Sequence, residues 1–492
     1  MRRLSVAFVL SMAVCLLLSC NHMPREARAV EQVETRPNIL FILVDDQRND
    51  TLGCAGHPII KTPNVDTLAR EGVRFENAFV TTSICMVSRA SIFSGMTERS
   101  IGGSTIQTID FPNCFPVLLR DAGYRTGFFG KQHVTFPQGN NVALGAMFNT
   151  HKPMGRNPYF KKMPDGSKRH VSEIIGDKSV EFLRSQPEDK PFCLYMSFNI
   201  AHAEDKDKRP GIGHFPWPKS VDGMYDEIEP LQPRLSDLEY FDTLPPFLKE
   251  SLNKVRYHWR WDTPEKYRTN MRAYYRMLSG MDGVVGRVLD TLKEEGMAEN
   301  TVVIYSADNG YYMGDRGLAG KWSHFEESLR VPLIIYDPRL PREKINRVVS
   351  PMALNIDIPA TILDMAGVVA PSKYQGRSLA PIVSEGRPED WRKDFSCEYH
   401  KPIGKIPKWE GVRTERYVYA RYYEQKPPFE FLHDLETDPT QLKNFACDPK
   451  YERILAEMRK RCDEYKKECT RPEIEAAKKA AEERKRKRKA SN

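Results

Sequence analysis

Two acidic pairs and one thiol are the residues of this chain whose types and spacing suit chemistry. Asp45-Asp46 follow the apolar run Asn38 to Val44, and Asp308-Asn309 follow the run Thr301 to Ala307. Adjacent carboxylates about 5 Å apart repel by roughly 3 kcal/mol at an effective dielectric near 20, so converging side chains need a cation between them. Oxygen donors of this kind suit Ca2+ or Mg2+ rather than zinc. A lone Asp-Asp can equally be a turn and a cap that point apart; a second pair at another strand end favours the metal site. Between the pairs lies Ser83-Ile84-Cys85-Met86-Val87-Ser88-Arg89, just after a strand and at the entrance to a helix. Its cysteine and arginine, one helical turn apart, are either site residues or a buried thiol and a surface salt-bridge partner.

Carboxylates from distant segments meet only if their strands lie side by side. Apolar runs of strand length alternate with amphipathic helical segments up to about residue 370, the pattern of an α/β fold with a parallel or mixed sheet flanked by helices. Asn38 to Val44 reads as a buried strand. Thr62-Pro63 opens a helix, Gly72 closes it, and Val73 to Phe79 returns to strand. A helix over Phe115 to Ala122 and a strand over Tyr124 to Phe129 follow. After these come a helix over Val171 to Arg184, a strand over Phe192 to Phe198, a long helix over Pro264 to Glu295 and a strand from Thr301. In such sheets ligands gather beyond the carboxyl ends of the strands, where both acidic pairs fall.

Residues 202–263 are rich in Pro, Asp and aromatics without periodicity, the texture of an insertion that is either functional or disordered. Beyond Pro388 short strands appear, Gly411 to Tyr423 and Phe429 to Asp434, then a charged helix over Lys450 to Lys467. The expected organisation is a signal segment over 1–20, a linker over 21–36, a main domain over 37–387, a smaller C-terminal α+β subdomain over 388–470 and a basic tail over 471–492.

Arg2-Arg3 followed by the apolar run Leu4 to Ser19 reads as a secretory signal. Its end, Leu17-Leu18-Ser19-Cys20-Asn21, resembles a bacterial lipobox, so the expected location is secreted or periplasmic, tethered to a membrane by a lipid on Cys20. Ordinary cleavage near Ala27-Arg28-Ala29 is the alternative. Of the ten cysteines, none forms a CxxC pair, which argues against a zinc ribbon. Cys462 and Cys469 share a helix and pair only with distortion. The net charge of +8 resides in Arg2, Arg3 and the run Lys478 to Lys489, so the folded body is near neutral and no nucleic-acid partner is expected.

The segment Cys85 to Arg89, with Ala90, Ser91 and Gly95, resembles the CxPSR segment of the type I sulfatases, with Val87 where that family has Pro or, less often, Ala. Pro37 to Asp46, Thr62-Pro63-Asn64 and Ala69 to Phe75 resemble the family's N-terminal segment. Asp308 through Gly310, Gly314 and Gly320-Lys321 to Glu326-Glu327-Ser328-Leu329-Arg330-Val331-Pro332 resembles its second block. Leu432 to Pro439 with Asn444 resembles its closing segment. The resemblance spans most of the chain, in order.

That resemblance implies an alkaline phosphatase-like fold and a sulfuric ester hydrolase, a sulfatase. It implies that Cys85 is oxidised to formylglycine by a maturation enzyme, which reads the position of Val87 before folding. Asp45, Asp46, Asp308 and Asn309 would hold one Ca2+, with the modified Cys85 completing the shell. Arg89 would hold the diol or a metal carboxylate. Gly130-Lys131-Gln132-His133 resembles the Gly-Lys-x-His segment of the family, giving Lys131 a sulfate oxygen and His133 the formylglycine hydroxyl. His202 would bind sulfate and protonate the leaving alcohol; Lys321 would be the second ammonium. A secreted enzyme of this kind implies a sulfated polysaccharide or oligosaccharide as substrate.

His57 and His324 read as peripheral polar contacts. Tyr257-His258-Trp259-Arg260-Trp261 is either a sugar-stacking cluster with a cation for sulfate or core packing. Two other functions compete: a phosphomonoester or phosphonate hydrolase of the same superfamily, and a non-catalytic glycan-binding lipoprotein.

Overall fold

The computed structural model describes residues 36–102, 111–136, 139–206, 214–235 and 238–471. The signal segment, Cys20, the linker as far as Thr35 and the basic tail from Pro472 lie outside the described residues.

Eight strands form the main sheet: β1 (Asn38–Val44), β2 (Val73–Phe75), β3 (Arg125–Gly130), β4 (Thr150–Pro153), β5 (Phe192–Ser197), β6 (Thr301–Ala307), β7 (Leu333–Tyr336) and β8 (Arg347–Val349). Their order across the sheet is β8-β2-β7-β6-β1-β5-β3-β4. Only β7 runs antiparallel to its neighbours, β2 and β6; the other pairs are parallel. The fold is therefore α/β with a mixed, mostly parallel sheet. The central strands are buried on both faces, β1 from Ile39 onward, which is why it reads Asn-Ile-Leu-Phe-Ile-Leu-Val without alternation.

Helices cover the sheet. Among them are α1 (Pro63–Arg70), α2 (Cys85–Ser94), α3 (Val171–Arg184), and α4 (Pro264–Glu294), which packs on α1 and α3. Thr263 caps α4 by accepting from Lys266 N at 3.2 Å, and Pro264 occupies its first turn. Helix α2 is different from the rest. All of its residues except Met86 are buried, including Ser88, Arg89 and Ser91, so no amphipathic stripe marks it.

Two expected strands are each divided. Val73 to Phe79 is broken at Glu76-Asn77: the first part enters the main sheet and Ala78–Phe79 pairs instead with Ala353–Leu354. Gly411 to Tyr423 is a hairpin, because Thr414 Oγ1 accepts from Arg416 N at 3.2 Å and Tyr417 N at 2.7 Å and closes a turn. The C-terminal sheet is antiparallel, β9 (Asp394–Tyr399), β10 (Trp409–Thr414), β11 (Tyr417–Tyr422) and β12 (Phe429–Asp434) in that order. The helix α5 (Glu452–Cys469) packs on it around Val412, Tyr419, Leu432, Leu455 and Met458. The described parts of the 202–263 insertion are folded, with short helices at Leu238–Thr243, Pro246–Lys249 and Leu252–Arg260. None of the eight cysteines among the described residues is in a disulfide, Cys462 and Cys469 included. No helix among the described residues is long and apolar enough to cross a membrane.

Candidate active site

The parallel register brings the strand ends level. Val44 of β1 pairs with Ala307 of β6, Leu43 with Ser197 of β5, and Gly130 of β3 with Ser197. Asp45-Asp46, Asp308-Asn309 and Lys131 therefore leave the sheet side by side. The first turns beyond it are tied together: Asp308 N donates to Val44 O at 2.9 Å, Lys131 N to Ser197 O at 2.7 Å, and Asp45 N to Ile200 O at 2.6 Å. Cys85 reaches the same place as the first residue of α2, where unpaired backbone N–H groups favour an anion.

These side chains make one buried cluster. Ligand atoms of Asp45, Cys85 and Asp308 lie within 4.8 Å of one another, as do those of Asp46, Cys85 and His202. Lys321 Nζ is 3.3 Å from Cys85 Sγ and hydrogen-bonded to Asp46 Oδ1, while Lys131 Nζ bonds Asp45 Oδ2. Arg89 is no surface residue. Its Nε donates to Asp308 Oδ2 at 2.7 Å and its Nη1 to Lys131 O at 2.9 Å and to Ser197 Oγ. His202 donates from Nδ1 to Ala203 O at 2.8 Å, which leaves Nε2 facing Asp46 Oδ2 at 3.8 Å.

Donor chemistry tests whether a hard cation fits. Among the described residues, Asp45 Oδ1, Asp46 Oδ2 and Asn309 Oδ1 are buried oxygens without a hydrogen-bond partner. Asn309 Nδ2 donates to Asp46 Oδ1 at 2.6 Å and Gly310 O at 2.9 Å, which fixes its amide. Burial, with the Asp45 charge behind it, pushes Asp308 up to about 8, and burial raises Asp46 against the pull of Lys321. Asp45 is held well below the usual carboxylate range; burial opposes this, but Lys131, His202 and Lys321 outweigh it. Orphaned oxygens and carboxyls that would rather hold a proton are what a divalent cation satisfies. Asp45, Asp46, Asp308 and Asn309 fit one.

His133 stands apart from the buried cluster. Its residue is exposed, with φ 48°, and the surrounding protein, then the Lys131 ammonium, hold its imidazole below its usual range. His57 accepts from Ile59 and Ile60 N–H within its own loop. His324 is core: its Nδ1 is 2.9 Å from Tyr422 Oη and its Nε2 3.2 Å from His433 Nε2, across to the C-terminal sheet. The Tyr257 to Trp261 cluster is divided by its helix. Trp261 is buried against Phe215 and Tyr267, His258 is exposed beside Asp262, and Arg260 is buried beside Asp205. Sequence reasoning missed Ser197, a strand residue whose hydroxyl joins Arg89 to Lys131 O, and Arg156, whose Nε donates to Ala203 O at 3.1 Å. Neither lies in a motif; only strand register and a loop return bring them here.

The sulfatase family model matches residues 37–368, which hold every residue of the cluster, and a second, described as N-sulphoglucosamine sulphohydrolase, C-terminal, matches residues 314–468. The chain belongs to the sulfatase family. It is a sulfuric ester hydrolase by that membership. An N-acetylglucosamine-6-O-sulfatase of Bacteroides thetaiotaomicron is 28% identical over 94% of this chain and 90% of its own. A solved sulfatase-fold structure in complex with its substrate D-glucosamine-2-N,6-O-disulfate superposes with a TM-score of 0.69 at 26% identity, covering 88% of this chain and 98% of that one. The phosphonate monoester hydrolase of Agrobacterium radiobacter shares the fold, with a TM-score of 0.72 at 23% identity over 88% of this chain and 96% of that one. The sulfatase fold accounts for the strand-end cluster; the antiparallel C-terminal sheet lies within the second match.

Proposed function

We propose that this sulfatase cleaves a sulfate monoester on a sulfated polysaccharide or oligosaccharide, using position 85 as nucleophile and one Ca2+ as electrophile. The observation that carries it is Cys85 at the amino end of a buried helix, its Sγ 3.3 Å from Lys321 Nζ and within 4.8 Å of ligand atoms of Asp45 and Asp308. In this arrangement Sγ stands in for the hydroxyls of the hydrated formylglycine. Once formed, that hydrate supplies an oxygen nucleophile beside a cation that polarises the sulfate.

The chain's own residues orient and neutralise the ester. Lys131 and Lys321 bring two ammonium groups to its oxygens. Arg89 holds Asp308 in place rather than touching the ester. His202, its Nδ1–H fixed on the Ala203 carbonyl, presents Nε2 to the departing alcohol; it hands over a proton as the doubly protonated imidazolium, which must form against the burial that lowers its affinity for that proton. The exposed His133 takes the proton released from position 85 as sulfate leaves.

Support for a sugar substrate comes from the relatives: one is an N-acetylglucosamine-6-O-sulfatase and another was solved with a disulfated glucosamine. We assign the catalytic domain to 37–387 and the C-terminal subdomain to 388–470. The signal segment and Cys20 support export and a lipid tether; a formylglycine-generating enzyme is the required maturation partner.

A phosphonate hydrolase remains the second reading because the fold is shared. The cations support sulfate: Lys131 and Lys321 reach the cluster together, which suits a singly charged ester that needs one metal and several cations. The test is mass spectrometry of the peptide around residue 85 from the native host, combined with sulfate release and metal analysis. Conversion of cysteine to formylglycine lowers the mass by about 18 Da. Unmodified Cys85, or two tightly bound zinc ions per chain, would overturn the proposal.

A further inference from the structure

Asp205, three residues beyond His202, carries three guanidiniums on one carboxylate. Arg256 Nη2 donates to Oδ2 at 3.0 Å, Arg260 Nη2 to Oδ1, and Arg156 Nη2 lies 3.8 Å from Oδ2. Three positive charges thus meet at one carboxylate, and Arg156 also feels the Asp45 charge of the cluster. Among the described residues, Nε of Arg256 and both Nε and Nη1 of Arg260 are buried without a hydrogen-bond partner, and the Arg260 side chain is 0% exposed. Leaving buried guanidinium N–H groups unmet is costly, so the arrangement calls for another acceptor. Arg156 and Arg256 keep 20% and 15% of their side-chain surface open, enough for an anion to reach them.

The arginines are coupled to the reaction site by shared groups. Ala203 O accepts from Arg156 Nε at 3.1 Å and from His202 Nδ1 at 2.8 Å. Arg256 lies 4.9 Å from the centroid of the Trp322 ring, one residue beyond Lys321. With His202 and Lys321 facing the scissile sulfate as proposed above, the guanidiniums lie next to it. Planar guanidiniums match sulfate and carboxylate with paired hydrogen bonds.

We propose that Arg156, Arg256 and Arg260, gathered on Asp205, form a second anion subsite that takes a sulfate or a uronate carboxylate carried on the substrate beside the scissile ester. The substrate is then a multiply anionic glycan. This inference rests on the sulfatase reading for the position of the scissile group, but not on turnover.

Equilibrium binding tests it without hydrolysis. The Cys85→Ser chain in calcium-containing buffer is titrated calorimetrically with glucosamine 2-N,6-O-disulfate, with glucosamine 6-O-sulfate, and with a 6-O-monosulfated glucosamine–uronate disaccharide. We expect at least one doubly anionic ligand to bind ~10-fold or more tightly than the monosulfate, the range of charge-assisted hydrogen bonds. Which of the two does so tells sulfate from carboxylate. The Arg256→Gln variant in the same background should bring that ratio to within about threefold, with Arg156→Gln in its place should Arg256→Gln not fold. A ratio near one in the parent, or a ratio unchanged in a folded variant, overturns the subsite and makes the cluster a structural cross-link of the insertion. Sulfate release by the matured protein tests the sulfatase reading separately, so the two can fail independently.

Discussion

Arg89 Nε donates to Asp308 Oδ2 at 2.7 Å, and neither side chain is more than 1% exposed. The pair joins the helix that carries Cys85 to the strand end that carries a metal-ligand candidate. It thereby fixes the helix of Cys85 against Asp308.

Removing the guanidinium strands a buried carboxylate. Arg89→Ala should cost about 3–5 kcal/mol, the usual result of breaking a buried pair from one side. Arg89→Lys keeps the charge but loses the fork that also holds Lys131 O and Ser197, and should fall between. Urea unfolding midpoints check both; an Arg89→Ala loss under about 1 kcal/mol would contradict the anchoring role.

Asn309 contributes an orphaned oxygen and a hydrogen bond to Asp46 at 2.6 Å. Asn309→Ala should weaken calcium binding by ~10-fold or more, which at saturating calcium removes about 1.4 kcal/mol of ligand-linked stability. The measurement is the rise in Tm with added calcium in parent and variant. An identical calcium response in both would remove Asn309 from the metal shell.

Gly130 has φ 115°, and a Cβ there would stand 1.9 Å from Ser197 O, the atom that receives Lys131 N. Gly130→Ala must push β3 from β5 and carry Lys131 away from Asp45. The expected outcome is a loss of about 2 kcal/mol or more in stability, together with a drop in kcat, because a side chain there meets backbone and strain at once. Full stability in the variant would refute this account of the close approach.

The Glu398 carboxylate accepts from Arg99 N at 2.8 Å, Arg99 Nε at 3.1 Å and His400 Nε2 at 2.9 Å. Burial opposes its charge, yet His400 and Arg99 together hold it to about 2. A depressed carboxyl adds stability that is present above its unfolded value near 4.3 and is lost as pH falls through the folded one. Glu398→Gln should therefore be destabilising by about 3 kcal/mol at pH 7 and by little near pH 2. Neighbouring Glu98, pushed up to about 7 by burial, has the opposite slope, and because the Glu398 charge also raises it, the comparison is made in a Glu98→Gln background. A pH-independent difference would sink the electrostatic explanation.

Sequence alone determined the elements whose periodicity is local. Helix α3 spans Val171–Arg184 and strand β1 spans Asn38–Val44 as patterning predicts, because helical periodicity and apolar runs act within a few residues. The α/β class and the acidic pairs at strand ends were legible for the same reason. The hairpin turn at Thr414 was not, since a hydroxyl that closes a turn looks like any strand threonine until its partners are known.

Tertiary structure decided what each motif touches. A buried helix such as α2 carries no stripe, so the sequence could not tell whether Arg89 met solvent or Asp308. Register, a property of paired strands, set Ser197 between Arg89 and Lys131, and it left His133 exposed although Lys131 two residues earlier is buried. Arg156, Asp205 and Arg256 belong to no motif. Long-range folding brings Asp205 and Arg256 of the aperiodic insertion to Arg156, which follows β4, beside His202, and charges brought together only by folding leave no mark in sequence spacing.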